Sequence, residues 1–378
     1  MRTFPQLLTT VLCVTIASLA LPAAATPGQS RSRQPPARFS VADGVYVFAS
    51  ADYGDVGLDG NSVVVVSTDG VLVFDTNGTP AAAEAVLAEI RKLTSQPVRY
   101  VVNSHWHWDH WYGTEVYQRA FPGVRIIAHE RTRAMMLGPA IAFNKPGLES
   151  QLPEYIRSVE QRVAAARAGT AGAAPPEELQ RLERLLAEDR FFLEQKRAVR
   201  HVIPNVTFTD RLTLHLGDRE IQVWHVDRAV TPGDAFLYLP VEKVLVTGDL
   251  LVNPISFALS CYPSGWLRTL ERLEAFDAAT IVPGHGEPLR DRQLLRDTMD
   301  VFRVLLREGA AAKRRGIDAD EARETILPAL DGPMQRMTKG DQSRVRAFRV
   351  QLVDWFLHRV YDELDGPLTD TIAPIPIR

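Results

Sequence analysis

Three histidines and one aspartate fall within six consecutive residues, in the run HWHWDH that starts at His105. Side chains two apart on an extended segment point the same way, so His105 and His107 can hold one cation. Asp109 and His110 then face a second place beyond the turn. Mixed imidazole and carboxylate donors are the ligands that zinc and other first-row divalent metals prefer. The run therefore predicts a metal site; the alternative is a surface turn with incidental histidines.

Two further candidate ligands follow apolar segments later in the chain. Asp249 ends the segment VLVTGD, and His285 lies between two glycines at the end of TIVPGHG. Loops at strand ends are where side chains from separate strands converge. Taken singly, Asp249 fits a helix cap and His285 fits a turn residue. Together with the run at His105, they favour one shared site.

Strands and a helix must position these residues. Runs of β-branched and apolar residues predict strands over 45–49, 63–66, 71–74 and 98–102. Asp75 directly follows the third of these strands. Thr79 caps a predicted helix whose first residue is Pro80. The last strand runs straight into the candidate ligands, which places them directly after a strand.

In this order the motifs resemble those of the metallo-β-lactamase superfamily, over most of residues 39–300. The matching motifs are Asp75, His105-x-His107-x-Asp109-His110, Thr247-Gly248-Asp249 and Pro283-Gly284-His285-Gly286. The resemblance implies an α/β fold, a four-layer αβ/βα sandwich with a two-metal site at one edge of two packed sheets.

The resemblance also implies a role for each motif residue. The first metal would be held by His105, His107 and Asp249. The second would be held by Asp109, His110, Asp249 and His285, with Asp249 bridging. Asp109 and Asp249 would be the catalytic carboxylates, and Asp75 would orient the ligand loop from behind. The expected cofactor is one or two Zn²⁺ ions, with other first-row divalent metals as alternatives.

One motif departs from the superfamily pattern. The superfamily pattern has a histidine between the run at His105 and the Thr247-Gly248-Asp249 motif, in a stretch like GRAHT. This chain reads DRAVT there, starting at Asp227. Val230 takes the histidine's place and cannot bind a metal. Three outcomes are open. His225 or Asp227 supplies the missing ligand; the first site is weakened beside an intact second one; or the site has decayed in a binding protein or pseudoenzyme.

A metal-dependent hydrolase follows from such a centre. A bound divalent cation can lower the pKa of its water from about 15.7 to near 7, so hydroxide is available at neutral pH. That hydroxide would attack the carbonyl of an ester, lactone or amide in a small-molecule substrate. β-Lactams are less favoured, because Asp249 stands where the β-lactam-hydrolysing branches typically carry Cys or Ser. The loss of one ligand at Val230 predicts lower activity than that of intact relatives.

Composition and the N-terminus set the context. The chain has 378 residues, with 43 basic against 46 acidic side chains, so no nucleic-acid partner is expected. Residues 1–25 have the pattern of a signal peptide, with Arg2 before an apolar run and small residues up to Ala25. An uncleaved anchor is the alternative, but the run is short for a membrane span. We expect a periplasmic or secreted protein without a stable span after cleavage.

The remaining chain divides into a flexible leader (26–38), the metallo-β-lactamase-like domain (39–300) and a C-terminal helical extension (301–378). Within the domain, residues 134–200 form a predicted helical insertion. It could lid the metal site, pair subunits into a homodimer, or act only as a structural flap. His129 ends a predicted strand near the ligand run and is a candidate substrate contact.

Overall fold

The computed structural model describes residues 35–54, 57–169 and 175–370. The predicted signal peptide and most of the predicted leader lie outside the described residues. The first strand begins at Ala37, where Ala37 and Arg38 pair with Ala49 and Phe48 of the next strand. Ala37 and Arg38, which belong to the predicted leader, therefore lie in a strand.

Seven strands form the first sheet, in the order in which they occur in the chain. They are β1 (Ala37–Ala42), β2 (Val45–Ala49), β3 (Ser62–Ser67), β4 (Gly70–Phe74), β5 (Val98–Val102), β6 (Arg125–His129) and β7 (Val206–Phe208). The pairs up to β4 are antiparallel and the later ones are parallel. The parallel strands β4 and β5 end at the same edge, which places Asp75 beside the ligand run.

Five strands form the second sheet, in the order β12-β11-β10-β9-β8. They are β8 (Arg211–Leu216), β9 (Arg219–Trp224), β10 (Phe236–Leu239), β11 (Val244–Gly248) and β12 (Thr280–Pro283). Only β11 and β12 run parallel to each other. Asp249 and His285 follow these two strands, so their loops lie side by side.

Helices flank both sheets and extend the chain beyond them. Those in the first half are α1 (Pro80–Leu93), α2 (Trp108–Trp111), α3 (Thr114–Ala120), α4 (Glu130–Met136), α5 (Pro139–Pro146), α6 (Leu152–Ala168) and α7 (Pro176–Ala198). A π-helical segment, Gly147–Gln151, joins α5 to α6. The later ones are α8 (Pro263–Glu274), α9 (Gln293–Arg314), α10 (Ala319–Ile326), α11 (Asp331–Thr338), α12 (Gln342–Ala347) and α13 (Trp355–Asp365). A 3₁₀ turn, Leu327–Leu330, follows α10, and a π-helical segment, Phe348–Asp354, precedes α13.

Three apolar clusters define four layers. One lies between the two sheets, where Val65 and Phe74 of the first meet Leu237 and Val246 of the second. A second cluster packs α1 and α3 on the outer face of the first sheet, and a third packs α8, α9 and α13 on the second sheet. Since both faces of each sheet are covered, β3, β4 and β11 are apolar almost throughout. This arrangement confirms the expected α/β sandwich.

The predicted insertion is helical throughout α5, α6 and α7. The last two helices share a small apolar cluster of their own, built from Ile156, Val159, Val163, Leu182, Leu185 and Leu186. The C-terminal end of α7 returns to the sandwich, where the Gln195 side chain accepts a hydrogen bond from the Ala81 amide of α1. Across the part of the chain that the structure describes, no helix has both the length and the apolar character that crossing a bilayer requires.

Candidate metal centre

The ligand run leaves β5 and enters α2, a helix of four residues. A single helical turn is not stable by itself, so its neighbours must hold it. The carbonyl of His110 accepts a hydrogen bond from the Thr76 amide (2.8 Å), and the carbonyl of Asp109 accepts one from the Gly60 amide (3.1 Å). The Trp111 indole donates to the Trp106 carbonyl (2.8 Å). The loops after β4 and before β3 therefore fix the run from both sides.

His105, His107 and Asp249 form the first donor cluster, with one ligand atom from each lying within 4.8 Å of the other two. The Nε2 atom of His105 is 3.7 Å from Oδ2 of Asp249. The Ser104 hydroxyl lies 2.9 Å from His105 Nδ1 and donates its own hydrogen to Asp75, so Nδ1 must carry the proton. This leaves the Nε2 lone pair of His105 facing the cluster.

Asp109, His110 and His285 form the second donor cluster. Oδ2 of Asp109 lies 3.1 Å from Nε2 of His285 and 3.2 Å from Nε2 of His110. The loop that carries His285 is held by Asn61, whose side-chain amide donates to the carbonyls of Pro283 (2.9 Å) and Gly286 (2.8 Å). Three separate loops thus converge on this cluster.

Asp249 faces both clusters with different oxygens. Its Oδ1 is 3.2 Å from Nε2 of His110 and 3.4 Å from Nε2 of His285, while its Oδ2 is turned to His105. Gly284 makes this approach possible, since a Cβ at that residue would lie 2.1 Å from Asp249 Oδ1. The carboxylate is therefore placed to be shared between two cations.

The donor atoms fit divalent cations. Among the described residues, three buried ligand atoms have no hydrogen-bond partner: His105 Nε2, His110 Nε2 and Asp249 Oδ1. The last two of these atoms are 3.2 Å apart, which is an ion-pair distance. Buried polar atoms are nearly always satisfied, so atoms left without a partner in one cleft indicate a ligand. Imidazole nitrogens and carboxylate oxygens suit zinc and its first-row neighbours. The two clusters fit two such ions.

The Asp75 carboxylate organises the ligand run from behind. Its Oδ1 accepts a hydrogen bond from the Ser104 amide (2.7 Å), and its Oδ2 accepts from the Ser104 hydroxyl (2.7 Å) and from His110 Nδ1 (2.8 Å). Because the Nδ1 proton of His110 is engaged there, its Nε2 points to the second cluster. Asp75 therefore contacts both the residue before the ligand run and the last histidine of the run.

The charges in the cleft are strongly coupled. Burial opposes ionisation, but His110 and His285 hold the pKa values of Asp109 and Asp249 well below the usual range. Burial lowers the pKa of His107 to about 4. For His285, the attraction of Asp249 and Asp109 outweighs burial and raises its pKa to about 10. Asp109 and Asp249 are thus the anionic groups of the cleft.

The loop at Val230 places its polar side chains as follows. Val230 is buried in the apolar cluster beneath α8 and α9. The Asp227 carboxylate is 2.6 Å from the Arg268 guanidinium, and it also accepts from the Arg228 amide. Nδ1 of His225 lies 2.8 Å from the Asp234 carbonyl. The first donor cluster consists of His105, His107 and Asp249, without His225 or Asp227.

His129, the candidate substrate contact, lies at the start of α4. Its ring stacks on His225 at 3.9 Å between centroids, and its Nδ1 accepts from the Arg131 amide. The residue is buried. This side chain therefore caps a helix and packs against the loop before Val230.

Sequence reasoning missed two residues beside the centre. Asn61 braces the His285 loop from 222 positions away in the chain. Lys196, near the end of the insertion, places its ammonium over the ring of Trp108 in α2. A single Asn in a loop and a single Lys in a helix carry no spacing signal, so only the three-dimensional structure reveals them.

One further group of possible donors lies in the C-terminal helices. Asp320, Asp354 and His358 lie close enough together to hold a cation. The Asp354 carboxylate, however, already lies 2.6 Å from the Arg323 guanidinium. An ion-pair network accounts for this group.

The comparisons with known proteins agree with this fold. The family model of the metallo-beta-lactamase superfamily matches residues 55–285, and the chain belongs to that superfamily. The linear primary-alkylsulfatase of Pseudomonas sp. (strain ATCC 19151) is 25% identical over 284 residues, which cover 70% of this chain and 49% of that protein. The chain thus spans about half the length of this curated relative.

Solved structures show the same fold. The stereoselective inverting sec-alkylsulfatase Pisa1 from Pseudomonas sp. superposes with a TM-score of 0.56 at 16% identity, covering 88% of this chain and 51% of that one. A metallo-beta-lactamase from Pontibacter korlensis gives a TM-score of 0.50 at 20% identity, covering 71% of this chain and 99% of that one. At these identities the likeness establishes the fold alone.

Proposed function

We propose that this chain is an exported, zinc-dependent hydrolase. The observation that carries the proposal is the pair of donor clusters joined by Asp249, with an oxygen turned to each. Membership of the metallo-beta-lactamase superfamily supports it, since members are usually hydrolases. Zinc is the metal proposed because imidazole and carboxylate donors in small sets are its usual ligands.

The chemistry divides between the metal and the chain. A divalent cation held by the two donor clusters would supply hydroxide at neutral pH and would polarise the bond under attack. Asp249 holds the two metal positions together, and Asp75 keeps Nε2 of His110 directed into the cleft. Asp109, ionised and 3.1 Å from His285, balances cationic charge at the second position. No serine or cysteine nucleophile is needed, and Cys261 is buried.

The two positions are proposed to differ in strength. The first has three protein donors, His105, His107 and Asp249, and Val230 contributes none. The second has Asp109, His110 and His285 with Oδ1 of Asp249 beside them. A first ion bound by fewer ligands is bound more weakly, so we propose lower activity than in relatives with a complete ligand set.

The bond that is cleaved is proposed to be an ester-type bond in a small molecule. The sequence analysis favours a carbonyl centre in an ester, lactone or amide. The alkylsulfatase relative favours a second candidate, a sulfate ester, because the similarity extends over 70% of this chain. β-Lactams remain the less favoured class, since the bridging residue is Asp249.

A panel assay tests this proposal. The purified mature protein is made metal-free, reloaded with zinc, and assayed on a medium-chain alkyl sulfate, a carboxylic ester, a lactone and a β-lactam. We expect turnover of at least one ester-type substrate that disappears on chelation and in Asp249→Ala. Zinc-loaded protein that turns over no panel member would instead favour a binding protein or pseudoenzyme on this fold.

Export is tested separately from activity. The pattern of residues 1–25 supports cleavage after Ala25. We expect N-terminal sequencing of protein from the periplasm or medium of a bacterial host to begin at Thr26. Full-length protein retained in the cytoplasm or the inner membrane would contradict this part of the proposal.

A further inference from the structure

The ammonium of Lys196 is enclosed beside the ligand run. Its Nζ lies 3.6 Å from the centroid of the Trp108 ring and 4.2 Å from that of Tyr112, with Phe192 at 5.7 Å. It is buried and has no hydrogen-bond partner among the described residues. Lys196 belongs to α7, the last helix of the insertion, and Trp108 begins α2. The contact therefore joins the insertion to the ligand helix.

The two closest rings occupy one face of the ligand helix. Trp108 and Tyr112 are four residues apart, and residues at this spacing lie on the same side of a helix. Asp109 and His110, between them, face the metal cleft. The ligand helix is a single turn long, from Trp108 to its C-cap Tyr112. The ammonium of Lys196 lies over the rings at both of its ends.

Gly78 also lies against the Trp108 ring. A Cβ at Gly78 would lie 2.4 Å from the Trp108 ring and 2.9 Å from the Cα of Asp109. The ring is therefore in close contact with Gly78 and with the ammonium of Lys196. Gly78 thus borders both the ring and the backbone of Asp109, so the space around them is tight.

Stability alone does not account for a lysine here. Enclosing an ammonium without a hydrogen bond is unfavourable, and a methionine of similar length would fill the same space without that cost. Burial drives the pKa of Lys196 well below its usual range, while Asp109 and Asp59 act in the opposite direction. On burial the ammonium loses its contacts with water, and interactions with the aromatic faces and these two carboxylates replace them.

We propose that Lys196 is a positioning residue for the second donor cluster: by clamping Trp108 and Tyr112, it fixes the orientation in which Asp109 and His110 meet His285. This inference rests on the proposed function, because it assumes that the cluster binds metal. It also assigns the insertion a role, since α7 becomes a supporting wall of the metal centre. Neither a lid nor a subunit contact is required for that role.

The test measures zinc affinity at each cluster separately. His105→Ala leaves the second cluster with its three donors, and His285→Ala leaves the first with its own. Lys196→Met, which keeps the length but removes the charge, is added to both backgrounds in the full chain. Zinc affinity is measured by competition with a chromophoric chelator. Arg197→Met, an exposed neighbour on α7, is the matched control.

We expect Lys196→Met to weaken zinc binding about tenfold in the His105→Ala background, the effect of losing one desolvated cation–π contact. The affinity in the His285→Ala background stays unchanged. Lys196→Arg, which keeps a cation over the rings, restores most of the loss, and Arg197→Met matches the parent in both backgrounds.

Two results would overturn the inference. Unchanged zinc affinity at the second cluster would show that the clamp does not position it. Equal weakening in both backgrounds, with a lower melting temperature, would show that Lys196 only supports the fold. If the parent chain binds no zinc, the proposed function fails and this inference fails with it. That outcome needs no Lys196 variant, so the two failures are distinguishable.

Discussion

Nδ1 of His110 lies 2.8 Å from Oδ2 of Asp75, and both side chains are almost completely buried. Asp75 has a left-handed backbone (φ 60°) directly after β4, and Ser104 donates two hydrogen bonds to its carboxylate. The interaction couples the end of β4 to the ligand helix. It also fixes which nitrogen of His110 is free to bind a cation.

The Asp75 contact leads to the first prediction. In Asp75→Asn, the Ser104 amide and hydroxyl keep at most one good acceptor, and His110 loses its anionic partner. We expect zinc affinity at the second cluster to fall about 10–100-fold, the usual effect of removing such a supporting group. Chelator competition on the metal-free protein measures it. An affinity equal to that of the parent would mean that Asp75 does not orient the ligand.

The second prediction concerns the lost ligand position. Val230→His places an imidazole where the superfamily pattern has one, so zinc content and turnover should both rise. Since Val230 is buried in an apolar cluster, the larger polar ring should also lower stability by roughly 1–3 kcal/mol. Val226→His, on a side chain that is 37% exposed, is the control. Unchanged zinc content and unchanged turnover would sink the idea of a damaged first site.

A glycine provides the third prediction. Gly284→Ala introduces a Cβ 2.1 Å from Asp249 Oδ1, which must move the bridging carboxylate or the loop. We therefore expect zinc binding to weaken at both clusters. Titration of the variant with zinc, one affinity for each cluster, measures this. Gly123→Ala, where a Cβ meets nothing within 4 Å, should match the parent. Loss at one cluster only would contradict the shared position of Asp249.

The fourth prediction concerns acid stability. Burial and the nearby His225 lower the pKa of His129 to about 3 in the folded protein, against an ordinary value of 6.5. Between these values the unfolded chain binds the proton and the folded chain does not, so the free energy of unfolding falls as the pH drops below 6.5. The contribution of neutral His129 to the free energy of unfolding is fully present above pH 6.5.

Urea unfolding at pH 7.5 and pH 5 checks this expectation. Both measurements use metal-free protein, because the ligands also titrate. His129→Gln should lose less stability between the two pH values than the parent does. An equal or larger loss in the variant would show that His129 is not the group responsible.

The ligand run and the α/β sandwich could be predicted because their signals are local. The run at His105 combines donor types within six residues, and the strands around it are continuous apolar segments. Ala37 and Arg38 lack an apolar strand pattern, so the sequence did not indicate that they pair with Ala49 and Phe48.

Other features depend on distant contacts that a sequence does not encode locally. The sequence left three outcomes open for Val230, and it did not indicate the contacts of the two residues involved: Asp227 pairs with Arg268, and His225 stacks on His129. Lys196 reaches Trp108 only because the insertion returns to α1. Such partners lie dozens of positions apart and leave no periodic pattern.

Asp249 is proposed to join two metal positions in one cleft. Counting zinc equivalents per chain by elemental mass spectrometry, after equilibration with zinc buffered over a range of free concentrations, tests this role most directly. We expect one tightly held equivalent and a second, weaker one, with both reduced in Asp249→Ala. A parent chain that retains no zinc, or an Asp249→Ala variant that retains as much as the parent, would contradict it.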